Sequence, residues 1–157
     1  MAQPLLAAGV LPGLPVSKAR KWHRAAGITI AVLIALHVGG LYWTSPPDAL
    51  DALLLVSPTP FSVFGVIAMW GIVLTVALVA LRRKLRLRYP VWHVVHNVLV
   101  VMVVIATLIH ALQIDGLMEP YSKAALCGLV GLVTCAIVFH VRFVRPRTIR
   151  REAQQKA

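Results

Sequence analysis

Residues 21–38 read KWHRAAGITIAVLIALHV and residues 89–110 read YPVWHVVHNVLVVMVVIATLIH. Each is an apolar segment that holds two histidines fourteen residues apart, His23 with His37 and His96 with His110. Fourteen steps of an α-helix fall only ~40° short of four full turns and rise ~21 Å along the axis. The two histidines of a segment are therefore predicted to face one way, at two depths within a hydrocarbon layer ~30 Å thick.

The composition of the whole chain points to a bilayer. Of the 157 residues, 59% are hydrophobic and 13% are charged, and the mean hydropathy is +0.82. Four apolar runs, 25–43, 61–81, 91–112 and 124–144, each approach the ~20 residues that a spanning helix needs. They predict an all-α integral membrane four-helix bundle. The first run is expected to stay in the membrane, because it begins too far from the N-terminus for a cleaved signal and lacks a cleavage site.

The charges predict the orientation. The chain has sixteen Lys and Arg against five Asp and Glu. Fifteen of the basic residues precede the first run, join the second to the third, or follow the fourth, and Lys123 alone lies in an opposite loop. The positive-inside rule then places both termini in the cytoplasm of a multi-pass protein of the inner (plasma) membrane. The same distribution favours contacts with membrane lipid and argues against nucleic acid as a partner.

Two connecting segments carry further expectations. The loop 45–60 has prolines at both ends of a short apolar stretch, 50–56, which is predicted to form a brief interfacial helix over the outer end of the bundle. The inner loop 82–88 is short, so the second and third helices are expected to be antiparallel neighbours.

The histidines predict a metal cofactor. The first and third helices both run outward, so His23 matches His96 in depth and His37 matches His110. Zinc needs a compact cluster of three or four ligands, whereas one histidine from each of two helices suits the two axial positions of a haem. Because no Cys-x-x-Cys-His occurs, covalent attachment is excluded, and haem b, bound twice, is the predicted cofactor.

Several neighbours of these histidines have predicted roles. Gly27, Gly39 and Gly40 leave room either for a porphyrin or for close helix packing. Cations at matching depth are candidates for the haem propionates: Arg20, Lys21 and Arg24 at the inner level and Lys123 at the outer level.

The two remaining histidines make poorer ligands. His93 is ~100° out of phase with His110, so His96 is the better partner, and His140 has no partner at matching spacing. Both are expected to meet a propionate, lipid headgroups or water at the inner interface.

Taken together, the two segments resemble the ferric reductase-like transmembrane family, which includes NADPH oxidases, iron reductases and the haem subunit of a methionine sulfoxide reductase system. The likeness extends over about residues 21–147. In that family a His followed by a basic residue and a Gly opens one helix, a second His closes it, and a Trp shortly before a His opens the partner helix. The matching positions here are His23, Arg24, Gly27, His37, Trp92, His96 and His110.

The resemblance implies an inner haem b on His23 and His96 and an outer one on His37 and His110. The prolines at positions 4, 12 and 15 predict a loose N-terminal segment, 1–20. The likeness then covers a four-helix haem-binding transmembrane domain, 21–147, which a basic polar tail, 148–157, follows. Many members continue into flavin and nicotinamide domains after a segment like VRFVRPR, and this sequence stops near that point. Flavin is therefore expected only on a separate partner.

The function expected on these grounds is that of a transmembrane electron conduit. A cytoplasmic flavoprotein reductase or another donor supplies electrons, and an acceptor on the outer side takes them, so the chain is one component of a membrane oxidoreductase. Two alternatives stay open at this point: a quinone-linked cytochrome b subunit of a multi-subunit oxidoreductase, and a cofactor-free membrane scaffold in which the histidines pack or titrate.

Overall fold

The computed structural model describes residues 15–82, 84–114 and 119–139, and in these ranges it contains five helices and no strand. The helices are α1 (Val16–Thr44), α2 (Pro46–Leu53), α3 (Pro60–Leu81), α4 (Tyr89–Gln113) and α5 (Pro120–Phe139). The chain forms two compact units. One unit is Thr29–Cys127, and the other includes the described residues 15–28 and 128–139.

Three of these helices, α1, α3 and α4, are long and apolar enough to cross a membrane. The 22 residues of α3 rise ~33 Å, slightly more than the hydrocarbon thickness. Large apolar side chains point outward from all three, and Leu36 is 66% exposed and Val98 62%. Exposed apolar surface on this scale is covered by lipid in a membrane protein and is rare on a soluble one. The chain is therefore a helical membrane protein.

The fourth apolar run corresponds to α5. This helix begins at Pro120, four residues before the predicted run, and its last described residue is Phe139. Residues 140–144 of the run lie outside the described residues, as do the N-terminal residues 1–14 and the whole of the basic tail 148–157. The fourth span and its place in a bundle stay predictions.

The first helix begins earlier than its apolar run suggests. It starts at Val16, directly after Pro15, whose carbonyl accepts a hydrogen bond from the Ala19 N–H at 3.0 Å. Residues 16–20 are thus helical, although the sequence places them in the loose N-terminal segment. The reason is that proline breaks a helix that precedes it but is well tolerated where a helix begins.

The predicted interfacial helix is present, but its bounds 50–56 are wrong. The helix α2 runs from Pro46 to Leu53, with prolines in its first turn, where their missing N–H groups would have no helical partner anyway. It ends because Leu55 adopts a left-handed φ of 60°, while the N–H groups of Val56 and Ser57 turn back to the Asp51 carbonyl. The prolines open this helix and do not merely precede it.

The helices α3 and α4 pack along much of their length. Close approach occurs at Gly71, where a Cβ would lie 2.5 Å from Val103 Cγ2 and 2.8 Å from Met102 Cε. Small residues at such crossings let membrane helices approach closely enough for dispersion contacts to hold them. The Thr75 hydroxyl meanwhile donates to the Gly71 carbonyl at 2.7 Å, so its polar atom has a partner without water.

Contacts at the two ends show that α3 and α4 are antiparallel, which confirms the prediction. At one end, here called the basic end, Arg82 of the connecting loop lies over Trp92 of α4. At the other, here called the far end, Phe61 of α3 meets His110 of α4. A second packing contact joins α2 to α3, so α2 is also held beside this pair.

An apolar groove of about 470 Å³ separates α1 from α3 within the unit Thr29–Cys127. Aliphatic side chains and Met69 line it: Ala31, Ile34, Ala35 and Val38 from α1, and Met69, Ile72, Val73, Val76 and Ala77 from α3. None of the four predicted haem-ligating histidines is among the lining residues.

The contact at Gly71 generates a stability prediction. A methyl group there overlaps Val103 and Met102, and overpacking of this kind costs about 1–3 kcal/mol. We expect Gly71→Ala to lower the free energy of unfolding of the detergent-solubilised protein by that amount, measured by thermal or denaturant unfolding. Gly128→Ala is the control, because a Cβ at Gly128 meets nothing within 4 Å among the described residues. Equal stability of the two variants would contradict this account of the α3–α4 contact.

Candidate functional site

The four predicted ligands lie on two helices. His23 and His37 are both in α1, and His96 and His110 are both in α4, so each helix is continuous between its two histidines. His37 is exposed and the other three are half-buried. His23 belongs to one compact unit and His96 to the other. The pairing of His23 with His96, like that of His37 with His110, stays a prediction.

His110 is held by α3. Its Nδ1 lies 2.8 Å from the Phe61 carbonyl oxygen. A carbonyl oxygen only accepts hydrogen bonds, so Nδ1 carries a proton, and the tautomer that fits this bond is the one whose lone pair is on Nε2. Histidines that bind metals in proteins are commonly oriented in this way, with the second ring nitrogen donating to a carbonyl or carboxylate. The His110 side chain thus fits a haem ligand in its tautomer.

Glycines near the far end determine how much space surrounds these rings. The His110 ring lies against Gly65, where a Cβ would be 2.8 Å from Cε1 and 2.9 Å from Nδ1. Beside His37, a Cβ at Gly39 or Gly40 would meet nothing within 4 Å in the part of the chain that the structure describes. The two interpretations of Gly39 and Gly40, room for a porphyrin and close helix packing, both stay predictions.

At the basic end, an aromatic stack surrounds His96. The Trp92 ring lies parallel to the His96 imidazole, with centroids 5.3 Å apart and an interplanar angle of 13°. The Arg82 guanidinium lies over the same indole, 4.5 Å from its centroid, and 5.4 Å from that of Tyr89. Such contacts restrict the rotamers of His96, which favours a preorganised ligand.

The Trp92 indole of this stack has a buried polar atom that lacks a hydrogen-bond partner within the described part of the chain. The indole Nε1 of Trp92 is buried and has no hydrogen-bond acceptor among the described residues. A buried donor without an acceptor costs about 1–3 kcal/mol. The basic end therefore fits a bound group that carries a carboxylate, as the propionate-bearing edge of a haem does.

His93 packs among these aromatic residues. Its ring meets Tyr89 edge-on, with centroids 4.3 Å apart, and Trp92 edge-on at 4.7 Å. Three residues from His96, it therefore contributes to the aromatic surroundings of the predicted inner ligand. His140 lies outside the described residues.

The other residues predicted to lie near the haems, two cations and Gly27, have different surroundings. Arg24 is exposed and Gly27 is half-buried, both in the unit that contains residues 15–28. Lys123 is half-buried, and its Nζ donates to the Ile114 carbonyl at 2.6 Å. That carbonyl belongs to the residue that caps α4 directly after its last turn, which contains His110. A cation there interacts favourably with the negative end of the helix dipole.

Three residues of the site were missed by reasoning from the sequence: Phe61, Gly65 and Arg82. Phe61 acts through its backbone carbonyl, which every residue type has, so its letter carries no signal. Gly65 is one of several glycines in the spans, and its role depends on how α3 is rotated against α4. Of the three, Arg82 alone has a sequence signal for its contact, because this cation is separated by a short loop from Tyr89 and Trp92.

The fold defines a class, helical membrane proteins, and the described residues place histidines inside two of the apolar helices. The model of the family described as ferric reductase like transmembrane component matches residues 3–107, about two thirds of the chain. The chain therefore belongs to this family. The match includes His23, His37 and His96 and ends three residues before His110. Comparison with curated proteins and comparison with solved structures each gave no match.

Family membership has two general consequences. Domains of this family generally bind haem and act in electron transfer across or within a membrane, together with a redox partner. This protein accordingly has a membrane electron-transfer role.

The stack at the basic end can be tested by a double-mutant cycle. We expect Arg82→Gln and Trp92→Leu to be coupled by about 0.5–1 kcal/mol in unfolding free energy, since either change removes the same cation–π contact. Lys84→Gln is the control, because Lys84 is an exposed cation of the same loop, and it should be additive with Trp92→Leu. Additivity of Arg82→Gln with Trp92→Leu would contradict the observed stacking.

Proposed function

We propose that this protein is a transmembrane b-type cytochrome with two bis-histidine haems. It passes electrons from a cytoplasmic donor to an acceptor on the outer side of the membrane. The observation that carries the proposal is the hydrogen bond from His110 Nδ1 to the Phe61 carbonyl, which leaves Nε2 free to bind iron. An intramembrane histidine oriented in this way is costly unless it has a function.

The outer haem is assigned to His37 and His110. His37 is exposed on α1, seven residues before the end of that helix, and His110 lies three residues before the end of α4. The open space at Gly39 and Gly40 supports this assignment, since a porphyrin next to His37 has to lie close to the backbone.

The inner haem is assigned to His23 and His96. This pairing rests on the equal spacing of the two histidine pairs and on the likeness of His23, Arg24, Gly27 and Trp92 to the family pattern. The stacking of Trp92 on His96 supports it from the structure. The buried Trp92 indole N–H and the Arg24 guanidinium are the proposed partners of the propionates.

A haem with two imidazole ligands supplies one-electron transfer and has no open coordination position. The roles of the protein's own residues follow from that. The four histidines hold and orient the cofactor, the apolar spans exclude water, and the cations near each end stabilise carboxylates. A soluble acceptor is then reduced without binding to a metal.

The proposed arrangement is a four-helix bundle in the inner (plasma) membrane with both termini in the cytoplasm. The transmembrane domain is residues 21–147, and the tail 148–157 is cytoplasmic. This orientation is based on the basic residues of the loop 82–88. The cationic loop also suits an acidic surface of a cytoplasmic flavoprotein reductase, the proposed donor, which would carry the flavin.

A second candidate is a quinone-linked cytochrome b subunit of a larger oxidoreductase. The apolar groove between α1 and α3 favours it, because about 470 Å³ falls within the range of small-molecule sites. A quinol oxidation assay on the purified protein separates the two candidates. Oxidation of quinol at a rate that falls when Ala35 is changed to Phe would support the second one.

The cofactor assignment is tested by haem quantification and visible spectra of detergent-purified protein. We expect a Soret band and two haems per chain. His37→Ala or His110→Ala should remove one haem, and His23→Ala or His96→Ala should remove the other. His93→Phe is the matched control and should keep both. A colourless protein from haem-supplied cells would favour the cofactor-free scaffold, and full haem content after loss of both His37 and His110 would exclude the outer site.

Lys123 provides a prediction for the outer level. Its cation lies at the end of α4 that holds His110, and a nearby positive charge favours the reduced, less positive haem. We expect Lys123→Met to lower the midpoint potential of the outer haem and to reduce the unfolding free energy by about 0.3–1 kcal/mol. Lys84→Met at the basic end should leave the outer potential unchanged. A redox titration identical to that of the unmodified protein would remove Lys123 from the site.

A further inference from the structure

The predicted haem ligands lie on the first and third spans, α1 and α4, yet the second span, α3, contacts one of these ligands. The His110 imidazole lies directly against the α3 backbone at Gly65. A Cβ atom hardly ever lies within 3.0 Å of a non-bonded heavy atom. A Cβ at Gly65 would lie 2.8 Å from His110 Cε1, 2.9 Å from Nδ1 and 3.4 Å from Nε2. Any residue other than glycine at this position would displace the ring.

The hydrogen bond of His110 depends on the same closeness. The Phe61 carbonyl, one helical turn before Gly65, lies 2.8 Å from Nδ1. The Phe61 ring also packs on the imidazole, with centroids 6.1 Å apart and planes at 57°. A displacement of the ring by 1 Å away from the Phe61 carbonyl, along the bond, would stretch the bond to ~3.8 Å, beyond hydrogen-bonding distance.

We propose that Gly65 and the Phe61 carbonyl form a cradle on α3 that sets the tautomer and the ring plane of His110. Gly65 is then a positioning residue for the outer haem, although it binds nothing itself. This inference rests on the proposed function, and it makes the outer site a product of three helices, α1, α3 and α4.

The cradle has an electronic consequence as well as a steric one. A hydrogen bond from Nδ1 to a carbonyl raises the basicity of the ligating Nε2. A more basic ligand stabilises the ferric state, so the cradle holds the potential of the outer haem lower than an unsupported histidine would. Loss of the bond should raise that potential, or, if the ring swings away, release the haem.

The experiment compares three glycine variants in the full-length protein. Gly65→Ala introduces a methyl group against His110, whereas Gly71→Ala introduces one on the same helix against Val103 and Met102. In Gly128→Ala the methyl group has no neighbour within 4 Å among the residues that the structure describes. Haem content, the low-spin ferric EPR signal and a redox titration are measured for each. We expect Gly65→Ala to lose one of the two haems or to shift its EPR signal and raise its potential.

The control Gly71→Ala isolates the effect of packing. It should lower stability and leave both haem signals unchanged. If Gly65→Ala and Gly71→Ala alter the haem signals equally, or if neither alters them, the cradle does not position His110 and the inference is overturned.

A measurement without haem separates this inference from the proposed function. In the apo-protein labelled with ¹⁵N-histidine, His110 should appear as the Nδ1–H tautomer, and Gly65→Ala should shift it toward Nε2–H. A wild-type His110 in the Nε2–H form overturns the cradle even if Gly65→Ala does not fold. A protein that binds no haem but shows the expected tautomer would instead refute only the proposed function.

Discussion

Within a bilayer, every polar group of a spanning segment has to find its partner inside the protein, because hydrocarbon offers none. The bond between His110 and the Phe61 carbonyl meets this constraint at the far end of α4. Thr75 meets it within α3 by donating to the Gly71 carbonyl, and Lys123 meets it at the Ile114 carbonyl. A histidine that donates from one ring nitrogen still has the other, and the proposed function uses this second nitrogen of His110 to bind the cofactor.

The packed pair of helices α3 and α4 provides several of these contacts. Gly71 brings the two helices together near their middle, and Gly65 receives the His110 ring nearer the far end. At the basic end the Arg82 side chain lies over Trp92, which in turn stacks on His96. Both candidate ligands of α4 are therefore oriented by the second span and its loop, whereas α1 presents His37 on an exposed surface.

Much of this organisation was accessible from residue patterns. Apolar length predicted the spans, because hydrocarbon thickness sets a minimum of about twenty residues, and the histidine spacing and flanking motifs predicted the family that the comparison then established. Boundaries were predicted less well. The prolines at 46 and 47 were interpreted as flanking a short helix, whereas they form its first turn. The start of α1 at Val16 was missed because Pro15, just before it, was interpreted as a helix breaker. Proline is favourable in the first turn of a helix and disrupts the interior of one. The presence of a proline in the sequence therefore does not by itself tell where a helix begins.

Composition and periodicity alone determined that this chain is a helical membrane protein, since this follows from helix geometry and from the cost of polar groups in lipid. They also predicted which histidines act together. The contact of His110 with Phe61 and Gly65, the stack on His96 and the attachment of Lys123 to the end of α4 became visible only in three dimensions. They depend on the rotation and depth of one helix against another, and those two quantities arise from side-chain packing between segments far apart in the chain.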